Sequence, residues 1–116
     1  ALVTDAMAAA GMLDGAYELG PVRVTVADGV ARLAEGGAIA GGTAHLLDVV
    51  RETVASGVAL VDAVRAASWT PAEVLGLADV GGLVAGRRAD VVVTDDALRV
   101  RTVWRGGRAV ADDVPN

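Results

Sequence analysis

Strand signals, then helix signals, then strand signals again predict a chain of mixed α and β structure. Three stretches carry that prediction. PVRVTVADGVARL has the two-residue repeat of a half-buried strand interrupted by a tight turn. Residues 43–76 repeat at helical spacing, and VVVT with TVWRGGRAV returns to strands. At 116 residues the length fits one domain with one core.

Taken in order, Leu2 to Thr4 suits the end of a strand, and Asp5 to Gly20 reads as a long loop rich in Ala and Gly. Within it, DGAYELG suits a lid or hairpin loop. Val22, Val24 and Val26 then alternate with Arg23 and Thr25, Asp28-Gly29 is a hairpin signal, and Val30 onward forms the return strand. EGGAIAGGT has four glycines in nine residues, too flexible for a regular element unless something holds it. Thr43 can cap a helix whose apolar stripe is Leu46, Val49, Val50 and Val54, with Ser56-Gly57 as its stop. Leu60 to Ala67 reads as a second helix with Leu60, Val61 and Val64 turned inward. In TPAEVLGL, Thr70 is the expected N-cap, Pro71 the first helical residue, Glu73 the capping-box partner and Gly76 the stop. GGLVAGRRADVVVTD is expected to give a turn, a short strand, a turn and the strand Ala89 to Thr94. Its run Val91 to Val93 matches a strand covered on both faces. Thr102 to Val110 closes a hairpin at Gly106-Gly107, and the tail DDVPN is expected to fray. Strands from the two ends could pair in one sheet around the middle helices, an α+β arrangement. The orphan opening strand and the long loop after it fit that arrangement badly.

Composition removes several function classes. The chain is 53% hydrophobic but only 3% aromatic with no Phe, so its core must be built from Ala, Val and Leu. Without cysteine there is no disulfide framework, thiolate nucleophile or Cys-ligated metal, and a cytoplasmic location is expected. A net charge of -5 disfavours nucleic acid and anionic membranes as partners. The arginines at 87, 88, 99, 101, 105 and 108 are interrupted by acids and apolar residues, the pattern of a solvated sheet face. No apolar run approaches the ~20 residues of a membrane helix, and the first residues do not form a signal peptide.

Few side chains remain for chemistry. Asp5 follows a strand-like segment, where a carboxylate can project into a cleft at the carboxyl end of a sheet as a base or metal ligand. It also reads as a cap or a solvent-facing acid. His45 is the only imidazole, with no acid or serine beside it in a catalytic spacing. One histidine without cysteine does not build an ordinary zinc site. AIAGGT, residues 38–43, suits either a backbone cradle for an anion or carbonyl oxygen, or a plain flexible turn. Trp69 and Trp104 suit packing better than ligand stacking.

Taken together, LVTDAMAAAG, DGVARLAEGGAIAGGTAHLLDVV, SWTPAEVLGL and GLVAGRRADVVVTD resemble the C-terminal third of the N-acetylglucosamine-6-phosphate deacetylase family, in the amidohydrolase superfamily. The likeness covers almost the whole chain in order. GRRADVVVTD alone is weakly specific among amidohydrolases; LVTDA with IAGGT and the TPA helix is more so. The resemblance implies an α/β fold, the C-terminal fragment of a (β/α)8 TIM barrel with part of its small β-sandwich. Residues 1–80 would supply the last barrel strand (Leu2 to Thr4), an inserted hairpin and outer helices. Residues 81–116 would supply strands of the sandwich.

The same resemblance implies metal-dependent hydrolysis of the acetamide of N-acetylglucosamine 6-phosphate. Asp5 matches the catalytic aspartate that takes a proton from metal-bound water and passes it to the departing amine. Ile39, Ala40 and Gly41 match the segment that contacts the sugar. Serine is common in the family at the position of Ala40, and Gly42-Thr43 replaces a more usual Ser-Thr or Ser-Ser pair. His45 matches no family ligand. The divalent metal, zinc or iron, would be held by residues outside this chain, which itself offers no metal ligand. The expected partners are the N-terminal barrel portion and a phosphorylated amino sugar, with room for a homodimer, and the piece is not expected to be active alone. Two alternatives are another amidohydrolase, dihydroorotase-like or hydantoinase-like, and a non-catalytic α+β packing module.

Overall fold

The structure is a computed structural model, described for residues 1–110. Its strands form two separate three-stranded sheets rather than one shared sheet. The chain divides into two compact units, Leu2–Glu52 and Thr53 onward.

The first unit is built on an antiparallel sheet of β1 (Gly15–Leu19), β2 (Val22–Ala27) and β3 (Val30–Leu33), in that order. The expected hairpin forms because Asp28 and Gly29 both adopt left-handed backbone, at φ 50° and 70°, as a two-residue turn between twisted strands requires. The carboxylate of Asp14 accepts both turn N–H groups, from Asp28 at 2.8 Å and Gly29 at 3.2 Å. Val24 and Val26 face inward against Ala9 and Ala31, with Met7, Tyr17, Leu33 and Ala40 packed around them. Burying each valine contributes roughly 1.5–3 kcal/mol.

Two expectations fail in this unit. Part of the segment read as a long loop is the strand β1, because its residues pair with Val22 to Val26 across the Gly20-Pro21 turn. Leu2 to Thr4 forms no strand; a strand needs a partner, and the first pairing on this side is the single parallel bridge of Ala6 with Gly42.

Helix α1 (Leu46–Ala55) begins two residues later than a Thr43 cap would require. The Thr43 hydroxyl instead donates to the Gly29 carbonyl, and Asp48 in the first helical turn accepts the His45 N–H at 2.9 Å. That reach-back bond satisfies a helix-end donor and places negative charge at the positive end of the helix. Gly57 ends the helix as expected, with the paired bonds Gly57 N–H to Val54 and Val58 N–H to Thr53.

In the second unit, α2 (Leu60–Ala67) and α3 (Trp69–Val74) meet at Ser68, and β4 (Val91–Thr94), β5 (Val100–Arg105) and β6 (Arg108–Ala109) form an antiparallel sheet. The α2 boundaries are those expected, but its inward residue is Ala63, while Leu60, Val61 and Val64 are exposed. Only α3 packs on α2 among the described elements, and the buried residues of the two helices are the small Ala63 and Ala72. The N-cap of α3 is Ser68, without a side-chain cap bond, rather than Thr70. Its hydroxyl donates to the Gly81 carbonyl at 3.1 Å. Gly76 does stop α3, through the bonds Gly76 N–H to Glu73 and Leu77 N–H to Ala72.

Arg87 lies 4.2 Å from the centre of the Trp69 ring and donates to the Val80 carbonyl at 2.7 Å, tying residues 80–87 to α3. The short strand expected at Leu83-Val84 is irregular, since its bonds are local: Val84 N–H to Gly82 and Arg87 N–H to Val84. Val92 and Val93 are exposed in β4, so the apolar run is not covered on both faces within these residues. The closing hairpin is as expected. The tail DDVPN lies outside the described residues.

Candidate functional site

The residues singled out for chemistry all fall in the first unit, and the backbone brings them together. The carbonyl of Asp5 accepts the Gly42 N–H at 2.6 Å, and the Met7 N–H donates to the Gly42 carbonyl at 3.1 Å. This is the parallel bridge centred on Ala6. On the other side of the same segment, Ile39 bridges Arg32 of β3. There the Leu33 N–H donates to Ala38 at 2.8 Å and the Ala40 N–H to Ala31 at 2.9 Å. Residues 38–42 therefore lie between the Asp5 end and the sheet, and these bonds hold a glycine-rich stretch that would otherwise be loose. Arg32 adds a side-chain bond to the Gly37 carbonyl at 3.0 Å.

An open anion cradle is not what results. The Ala40 and Gly42 N–H groups are spent on the two bridges, while those of Ile39 and Gly41 take no part in them. Ile39 is exposed, whereas Ala40 and Gly41 are half-buried. Asp5 is exposed, and its backbone is left-handed at φ 50°. Among non-glycine residues, Asp and Asn tolerate that conformation best, so the acid at position 5 also suits the chain path.

Sequence reasoning missed the scaffold behind this arrangement. Asp14 clamps the turn at 28–29, and Thr43, next to Gly42, bonds the Gly29 carbonyl. These partners stand 14 or 15 residues apart, and no local periodicity signals them. His45 is exposed, its ring lying beside Gly11.

Elsewhere, two charged groups are tuned by turns of the second unit. Asp90 is held below the ordinary carboxylate range by its bond with Arg88 and by the Gly106 N–H. Asp95 is held low chiefly by the Arg99 N–H, with Arg101 adding to it. Both carboxylates stabilise hairpin geometry. Surface hollows of about 350 and 410 Å³ flank Trp69, and neither is lined by Asp5 or residues 39–41.

A metal does not fit the described residues: no group of three or more His, Cys, Asp or Glu side chains comes together among them. No helix among them is long and apolar enough to cross a membrane.

Comparison with known proteins gives a consistent picture. Residues 2–110 match the amidohydrolase family. The chain is 44% identical over 109 residues to an N-acetylgalactosamine-6-phosphate deacetylase of Escherichia coli O157:H7, covering 92% of this chain and 29% of that protein. It is 39% identical over 113 residues to an N-acetylglucosamine-6-phosphate deacetylase of Vibrio furnissii, covering 96% and 28%. Among solved structures, the Mycobacterium smegmatis N-acetyl-D-glucosamine-6-phosphate deacetylase, a mutant in complex with N-acetyl-D-glucosamine-6-phosphate, superposes with TM-score 0.81 at 46% identity. That match covers 92% of this chain and 29% of that one. The Thermotoga maritima deacetylase superposes with TM-score 0.83 at 36% identity, covering 92% and 30%. The chain thus spans under a third of these relatives, and 65% of a shorter Escherichia coli K12 relative.

Proposed function

This chain belongs to the amidohydrolase family, and from that premise we propose that it is the C-terminal portion of a deacetylase acting on N-acetylglucosamine 6-phosphate. In this reading Asp5 transfers the proton. It accepts a proton from the attacking water as the new C–O bond forms, then delivers it to the nitrogen as the C–N bond breaks, releasing acetate and a free amine. Both jobs are needed, since water is a weak nucleophile until deprotonated and an amine leaves poorly until protonated. Ile39, Ala40 and Gly41 supply the wall for the sugar, with Ala40 contributing backbone rather than a hydroxyl.

The observation that carries the reading is the pairing of residues 5–7 with Gly42, which sets the proposed proton-transfer residue against the proposed substrate segment. We place residues 2–4 where the last strand of a (β/α)8 barrel would run, a strand that would form only on pairing with a neighbour from outside this chain, and residues 81–110 in a small β-sandwich. A divalent ion is implied by the family; its ligands would lie outside this chain, because the described residues form no site for one. A cytoplasmic enzyme without membrane or nucleic-acid partners, and compatible with a homodimer, completes the proposal.

N-acetylgalactosamine 6-phosphate is a second reading, favoured by the 44% identity to an enzyme named for that substrate. The two sugars differ in the configuration of one ring hydroxyl. Incubating the folded, metal-loaded protein at its native length with each sugar phosphate, and measuring acetate and free amine, decides between them. Faster release from the glucosamine derivative supports the first reading and the reverse supports the second. No acetate from either would refute both.

A further inference from the structure

We propose that Thr43 is a positioning residue for the substrate, its hydroxyl fixing the far end of the segment 39–41 to the hairpin instead of capping α1. The inference rests on the deacetylase reading of residues 39–41, while the anchor stands without it. Residues 36–42 hold four glycines, so the segment loses much conformational freedom when it is ordered and needs ties to stay in place. The hairpin of β2 and β3 supplies them. At the near end the Arg32 guanidinium donates to the Gly37 carbonyl at 3.0 Å. In the middle the Leu33 N–H donates to Ala38 and the Ala40 N–H to Ala31. Past Ala40 the backbone bonds turn away to residues 5–7. Among the described residues, the tie back to the hairpin is then the Thr43 hydroxyl on the Gly29 carbonyl.

The acceptor of that bond is itself fixed. Gly29 sits in the tight turn at φ 70°, and the Asp14 carboxylate holds its N–H at 3.2 Å and that of Asp28 at 2.8 Å. A hydroxyl bonded to a carbonyl that cannot drift holds its own backbone in place. Thr43 adjoins Gly42, whose N–H and carbonyl pair with Asp5 and Met7. The helix does not need this hydroxyl. α1 begins at Leu46, and Asp48 already reaches back to the His45 N–H at 2.9 Å. Without the hydroxyl the segment populates its sheet-bound position less, and a substrate that requires that position binds more weakly in proportion.

Thr43→Val in the native-length, metal-loaded protein tests this, since valine keeps the branched shape and loses the hydroxyl. KM for the sugar phosphate is expected to rise about 3–10-fold, the worth of one hydrogen bond, with kcat nearly unchanged. Thr43→Ser, which restores the hydroxyl, should return KM to the parental value. Amide exchange followed by mass spectrometry should quicken at Ala40 and Gly42 in Thr43→Val and stay parental at Asp48 and Val49, in the first turn of α1. A parental KM in Thr43→Val, a KM that Thr43→Ser does not restore, or a loss confined to kcat overturns the proposal. So does exchange that quickens at Asp48 and Val49 but not at Ala40 and Gly42, the mark of a helix cap. Should Thr43→Val fail to fold, Thr43→Ala serves instead, with the same expected and refuting outcomes. A parent enzyme that releases no acetate refutes the deacetylase reading, and amide exchange then decides the anchor by itself.

Discussion

Replacing Asp5 with Asn separates chemistry from fold more cleanly than any other change in this chain. Position 5 has left-handed backbone at φ 50°, which Asn tolerates as well as Asp. The bond that ties this residue to Gly42 uses the Asp5 main-chain carbonyl, which the substitution leaves in place. Folding should therefore be unaffected. The amide cannot accept the proton from water, so the proton-transfer contribution is lost. General acid–base catalysis is worth about 10²–10⁴-fold, or roughly 2.7–5.5 kcal/mol of activation free energy. Acetate release by the native-length enzyme should fall by that factor, with KM and the melting temperature unchanged. Asp5→Ala is the informative companion. It should lose the same activity and also destabilise the protein by about 1–2 kcal/mol, because alanine does not tolerate left-handed backbone. Turnover by Asp5→Asn within a few-fold of the parent would refute the assignment of Asp5 as the proton-transfer residue.

Three further outcomes follow from the geometry. In Gly82→Ala, the new methyl would lie 2.6 Å from Cε3 and 2.7 Å from Cζ3 of Trp69; overpacking of this kind costs about 1–3 kcal/mol. Thermal denaturation followed by tryptophan fluorescence should report it, and an unchanged melting temperature would refute the contact. Asp14→Ala removes the acceptor for both turn N–H groups at 28 and 29 and should cost about 1 kcal/mol in urea titration, with faster amide exchange at those two residues. Asp90 and Asp95 have folded-state pKa values below their ordinary 3.8. Their stabilisation is present above that value and is lost as pH falls through the lower folded values. Acid titration of the Asp90→Asn, Asp95→Asn double variant should accordingly show a shallower loss of stability below pH ~4 than the parent.

Short-range signals read from the sequence carried over well where the determining interactions are local. The Asp28-Gly29 hairpin, the α2 boundaries, the stops at Gly57 and Gly76 and the Gly106-Gly107 turn all form as expected. Each depends on the backbone preference of one or two residues, which sequence displays directly. Caps were less secure. Thr43 and Thr70 have the right chemistry, but Thr43 is drawn to Gly29, and the start at Ser68 adds a bond to Gly81 that no pattern at 70–73 reveals.

Inward faces were also misjudged on α2 and β4. Periodicity states which residues are apolar, whereas exposure depends on which neighbour exists to cover them. Leu60, Val61, Val64, Val92 and Val93 remain exposed for that reason, while the buried residues of α2 and α3 are alanines.

By itself the sequence determined the mixed strand and helix character, the local turns, the absence of a cysteine site and the family resemblance that pointed to Asp5 and residues 39–41. Only the tertiary structure decided that the strands belong to two sheets, that GAYEL is a strand, and that Gly42 joins residues 5–7. The physical reason is separation along the chain. Asp5 and Gly42 stand far apart in sequence, and their contact exists because β2 and β3 carry residues 38–42 back to the chain's beginning.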